Sequence, residues 1–250
     1  PCRLHAGHKQ QSGVHFMRML HVAGLVVGLL APVVVNAGEG GGAHVMPGAT
    51  ATLADMPPTA PGNYVKLMYL DYDADATARI PTAAGITTNL DVAANTVAVA
   101  LVHSFEQKVL GGANLTVVAA LPYTHLDISG TVELPGGGSV ARGNSVSGLG
   151  DLTLIPAMLA WKRDAWTFNA MLPIYAPTGS YELGRLGNPG LNYWTVDPTA
   201  GFVYSTKKGF SGMLHMGYAM NSENPDTNYQ SGSMLHLEGT LEQILPAGKG

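Results

Sequence analysis

Apolar and polar residues alternate along much of this chain, and the alternation has period two. In a strand, neighbouring side chains point to opposite faces, so period two marks a sheet with one wet and one greasy face. The segment 125–134 is the clearest case. His125, Asp127, Ser129, Thr131 and Glu133 fall on one face, opposite Leu126, Ile128, Val132 and Leu134. Further on, Trp166, Phe168, Ala170, Leu172 and Ile174 share a face, as do Leu214, Met216, Tyr218 and Met220. Near the end Leu235, Leu237 and Leu241 stand opposite His236, Glu238 and Thr240. The pattern predicts strands over 64–73, 91–105, 112–134, 151–161, 166–175, 193–205, 210–220 and 234–245.

The links between them alternate in length. The links 135–150, 176–192 and 221–231 are long and rich in Gly, Asn and Pro, so they are expected to be loops. The links near Lys108, Lys162, Lys207 and Lys208 are short, and Lys249 lies near the last one. Eight strands with alternating long and short connections predict an all-β fold, an antiparallel transmembrane barrel of the outer-membrane type. Short turns then face the periplasm and long loops face outward. Trp161, Trp166, Tyr175, Trp194, Tyr204 and Phe210 lie where strands meet turns and are candidates for an interfacial aromatic girdle. The polar face at His125, Asp127, Ser129, Thr131 and Glu133, together with His236 and Glu238, is a candidate lumen lining, because barrel interiors are polar.

Composition sharpens this picture. Only 12% of the 250 residues are charged, about half the usual share of a soluble domain. Hydrophobic residues make up an ordinary 46%. A net charge of −4 argues against a nucleic-acid partner, which calls for a basic face. The single cysteine, Cys2, excludes an internal disulfide and any Cys-based metal site.

The first part of the chain reads differently. Residues 1–16 look like an upstream extension foreign to the protein, and their His5/His8 pair is a poor metal site. Residues 17–37 read as a signal peptide. Arg18 is the basic start, 22–35 the apolar stretch, and Val35-Asn36-Ala37 the small-residue cleavage site. Residues 38–62 hold Gly40-Gly41-Gly42, Pro47-Gly48 and Pro57-Pro58. They are expected to form an irregular entry or plug segment, with His44 and Met46 near a permeation path. Residues 63–250 are the expected barrel.

No catalytic constellation is present. The sequence lacks a closed GxSxG elbow, a P-loop, a dinucleotide fingerprint and HExxH. Asp71, Asp73 and Asp75 alternate like the start of a calcium loop, but Ala76 and Thr82 stand where glycine and glutamate are needed. They are expected to sit on an acidic outer rim. His103 and His215 read as structural histidines. No enzyme, metal or cofactor is expected.

Several pieces in order resemble one family. Gly148-Leu149-Gly150-Asp151-Leu152 runs into Leu154-Ile155-Pro156 and Trp161. Leu172-Pro173-Ile174-Tyr175-Ala176-Pro177-Thr178-Gly179, Pro198-Thr199-Ala200-Gly201 and Asn224-Pro225-Asp226 follow. With the early Gly-rich run up to His44, they resemble the SphA-like outer-membrane proteins, transporter-type barrels tied to the MetA pathway of phenol degradation. The resemblance spans about 38–245. It implies a Gram-negative, porin-like outer-membrane barrel, distantly similar to FadL-type channels, that takes up small hydrophobic or aromatic compounds. Its partners would be the outer-membrane bilayer and the solute. Relatives of that kind run longer at the C-terminus, which implies that these eight strands belong to a larger barrel. The competing expectation is a structural or adhesive barrel that acts through its long outer loops without transport.

Overall fold

The computed structural model describes residues 42–45, 57–58, 60–80, 86–134 and 138–244. The upstream extension, the signal peptide and Met46 lie outside the described residues. Among the described residues every regular element is a strand, and these strands pair antiparallel.

Three long strands open the sheet: β1 (Gly62–Ile80), β2 (Ile86–Val109) and β3 (Ala113–Leu134). The fourth pass is split into β4 (Gly138–Leu149) and β5 (Leu152–Arg163), both paired with β3. The fifth is β6 (Trp166–Met171) with β7 (Ile174–Ala176), and the sixth is β8 (Thr195–Val196) with β9 (Thr199–Ser205). β10 (Phe210–Asn221) follows, then the small pair β11 (Glu223–Asn224) and β12 (Tyr229–Gln230), and finally β13 (Met234–Gln243). Pro173 and Pro198 sit at two of the breaks, where a residue without an N–H cannot keep up a ladder. Around these breaks the pairings run in a ring, β5–β6–β9–β10–β8–β7 and back to β5. Among the described residues, β1 pairs only with β2 and β13 only with β10.

Two expectations change. Residues 138–149 form a strand rather than a loop, because β4 continues the fourth pass along β3. Gly150 N–H donates to the Pro122 carbonyl at 2.9 Å, where β4 hands over to β5. Asp75 also lies within a strand rather than after it, since β1 runs past the expected end at Asp73 and pairs with β2 from Gly62 to Ile80.

Long and short connections gather at opposite ends. Ser180 N–H donates to the Leu149 carbonyl, and Asn224 Nδ2 donates to Tyr181 Oη at 3.1 Å, so the long segments interlock. At the other end Trp161 Nε1 donates to the Leu110 carbonyl at 2.8 Å, and Ser205 N–H donates to the Ala165 carbonyl.

The polarity of the sheet is inverted relative to a soluble protein. Cross-strand partners Phe168, Phe202 and Leu214 share a face, as do Ala200, Met216 and Leu237, and as do Leu101, Ala119, Leu154, Ile174, Val196 and Met220. This apolar face is the exposed one, with Leu67 at 76% and Leu241 at 78%. The opposite face carries Thr116, Asn169, Thr199, His215 and Glu238, all five buried, among buried Met158, Met171, Val203 and Met213.

Candidate functional site

The buried face becomes a site because polar side chains line up from strand to strand. Its outer end is built on Asp151, in the break between β4 and β5. One carboxylate oxygen, Oδ1, accepts from Gly179 N–H at 2.8 Å. The other, Oδ2, accepts from Leu191 N–H at 2.7 Å. Both donors come from the segment 177–192, which can approach because Gly150, Gly179 and Gly190 have no side chains. A Cβ on Gly179 would meet the backbone of Gly150, Gly190 and Leu149 within 2.9 Å.

His44 enters this end from the Gly-rich segment. Its Nε2 lies 2.8 Å from Asp151 Oδ2 and its Nδ1 2.7 Å from Thr195 Oγ1. The ring stacks on Tyr175 with centroids 4.8 Å apart and meets Tyr193 edge-on at 5.2 Å. The His44 and Asp151 side chains are 6% and 3% exposed. Thr195 Oγ1 in turn donates to Asn221 Oδ1 at 2.7 Å.

Two more polar pairs continue along the same face. His236 on β13 reaches across β10 to Asp197, with Nε2 3.0 Å from Oδ1. Gly217 lies beneath the ring, and a Cβ there would overlap it. His215 on β10 crosses β9 to Asn169 on β6, with Nε2 2.5 Å from Oδ1. Gly201 makes room in the same way. Glu238 sits opposite His215 in the β10–β13 register. The wall therefore runs from His44, Asp151 and Thr195 through Asp197 and His236 to Asn169, His215 and Glu238. Such a surface can hold and pass on groups that hydrogen-bond. Among the described residues no cluster of three or more His, Cys, Asp or Glu side chains is arranged to hold a metal ion.

The structure brings His44, His236 and Glu238 to this wall. It separates them from His125, Asp127 and Ser129, which lie on the face that carries Leu121 and Tyr123. There His125 pairs with Asp127 at 3.1 Å, with both side chains about half exposed. Thr131 and Glu133 continue that row on β3. The outward face is apolar up to Tyr123 and polar beyond it. The inward side above that point is apolar instead, with Leu126 and Ile128 packed where Gly187 approaches.

The aromatic candidates also divide. Trp166 packs on Tyr204 at 4.7 Å and on Phe202 at 5.4 Å beside the short turns. Trp161 is pinned to the 110–112 turn, and Phe210 starts β10. Trp194 is half exposed near the long loops, whereas Tyr175 turns inward beneath His44. His103 is bonded to Asn63 and His215 to Asn169. Sequence reasoning did not single out Asp151, Thr195, Tyr193, Asn221, Asp197 or Asn169 as site residues. Asp151 and Asp197 did carry a signal, since each is a lone acid beside a Gly or Pro that interrupts a strand.

Comparison with known families gives one match. The model of the family described as "Putative MetA-pathway of phenol degradation" matches residues 73–249. No curated protein and no solved structure gave a match.

Proposed function

We propose a function from one premise: the chain belongs to the family described as putative MetA-pathway of phenol degradation. On this reading the protein is an outer-membrane β-barrel that lets small hydrophobic or aromatic solutes cross, in a pathway that consumes a phenol. It acts as a conduit, not an enzyme, and its partners are the lipid bilayer and the solute.

The observation that carries the reading is the inverted sheet. Apolar side chains exposed on one face and polar ones buried on the other suit a barrel in lipid. In water, such a face would be an adhesive liability. The length also agrees. On β3 the outward face stays apolar from Leu115 up to Tyr123. That matches the roughly 9 to 11 residues of a tilted membrane-crossing strand. Beyond Tyr123 the face turns to His125, Asp127 and Ser129, as expected where water begins. His44, on residues 42–45, then sits at the mouth, and the polar wall from Asp197 to Glu238 lines the way through.

The test is uptake of phenol and catechol by lipopolysaccharide-containing vesicles that carry the full-length protein. Faster uptake than in protein-free vesicles is the expected result. Equal rates would remove the transport reading, and a non-transporting outer barrel would take its place.

A further inference from the structure

The cradle around His44 is aimed by groups other than His44. Gly179 and Leu191 N–H groups fix the two oxygens of Asp151. Asn221 Oδ1 takes the Thr195 hydroxyl hydrogen, while Asn221 Nδ2 donates to the Gly232 carbonyl at 2.9 Å. With its hydrogen committed, Thr195 Oγ1 faces the ring as an acceptor. Asp151 Oδ2 is an acceptor as well. Tyr175 supplies an aromatic floor and Tyr193 an aromatic side. A slot with aromatic walls and acceptors at two edges selects a planar ring that carries a hydrogen-bond donor. His44 meets that description, and it arrives on residues 42–45, which form neither strand nor helix.

We propose that this cradle is the binding site for a free planar ring bearing a hydroxyl donor, phenol being the simplest, and that this ring and His44 compete for it. The inference rests on the channel reading, which brings such solutes to the mouth. The phenol O–H donates to Asp151 Oδ2 while the ring lies on Tyr175. A second hydroxyl, as in resorcinol, has Thr195 Oγ1 to reach. Anisole lacks the donor and leaves the buried acceptors unsatisfied, which is costly. Benzoate sets a negative charge against Asp151.

The test is calorimetric titration of the full-length protein in detergent with phenol, anisole and benzoate. His44→Ala should bind phenol about tenfold or more tightly than wild type, because no occupant has to leave. Free imidazole should compete with phenol in that variant. Anisole and benzoate should each bind at least about tenfold more weakly than phenol. Adding Asp151→Asn to His44→Ala should weaken phenol by a similar factor. Heat-modifiability on gels checks folding. If His44→Ala fails to fold, His44→Gly refolded with imidazole takes its place. Equal phenol affinity in wild type and the His44 variant, or no effect of Asp151→Asn, overturns the proposal. Vesicle uptake keeps the two readings apart. Uptake without competition removes the cradle and leaves the channel, and competition without uptake does the reverse.

Discussion

Two glycines decide how the buried wall is wired. Gly217 and Gly201 leave space for the rings of His236 and His215 to cross a neighbouring strand. Without that space neither ring reaches its partner on the next pass, Asp197 or Asn169. Gly217→Ala and Gly201→Ala should each destabilise the protein by about 1–3 kcal/mol, the cost of leaving a buried polar group unsatisfied. Gly130→Ala is the control, because the nearest atoms there stand 3.8 Å away. Urea unfolding in bilayers reads the difference, and a Gly217→Ala midpoint equal to that of Gly130→Ala would contradict this account. These glycines were visible in the sequence, but their purpose was not. Period two says which side of a strand a residue takes, not which ring crosses it.

At the scale of elements, alternation located the eight passes, because the exposed face of each strand is apolar over a long stretch while its other face is mixed. It misplaced the third link. Gly138, Gly143 and Gly148 suggested a loop over 138–149, yet that segment is held by register with β3. It also assigned the polar face of β3, from His125 to Glu133, to the interior. His125 and Asp127 alternate like lining residues, yet they share the exposed face of Leu121 and Tyr123. The outward face therefore has two chemistries on one strand. Leu101→Arg, within the apolar stretch, should cost about 2–4 kcal/mol in bilayers. Ser129→Arg, on the same face above it, should stay within about 0.5 kcal/mol. Refolding yield and urea midpoints in vesicles measure both, and equal penalties would count against a boundary at Tyr123.

For the whole molecule, the long segments lock together at one end, the mouth of the proposed channel. Segment 177–192 is tied to Asp151 and Leu149, and Asn192 Nδ2 donates to Asn224 Oδ1 at 2.8 Å. Gly179 is the closest point of this packing, and its neighbours there are backbone that cannot swing away. Gly179→Val should therefore lift the segment, loosen His44 and raise basal conductance several-fold in planar bilayers, with the strand content by circular dichroism unchanged. Unchanged conductance would mean that the segment does not hold the mouth. The family and the all-β class could be read from the chain because motif order and alternation survive in one dimension. The His44–Asp151 pair could not, since the two residues are 107 positions apart and only folding joins them.

In the proposed channel the apolar face meets lipid and the polar face lines the interior. Nitroxide labels placed singly on β13 from Leu235 to Leu241 test this directly, with accessibility to oxygen and to a water-soluble nickel complex as the readout. The account predicts strict alternation. Leu235, Leu237 and Leu241 should be open to oxygen, which partitions into lipid, and closed to nickel. His236, Glu238 and Thr240 should show low oxygen access. Uniform accessibility along the strand, or nickel access at Leu235, Leu237 and Leu241, would contradict a membrane barrel.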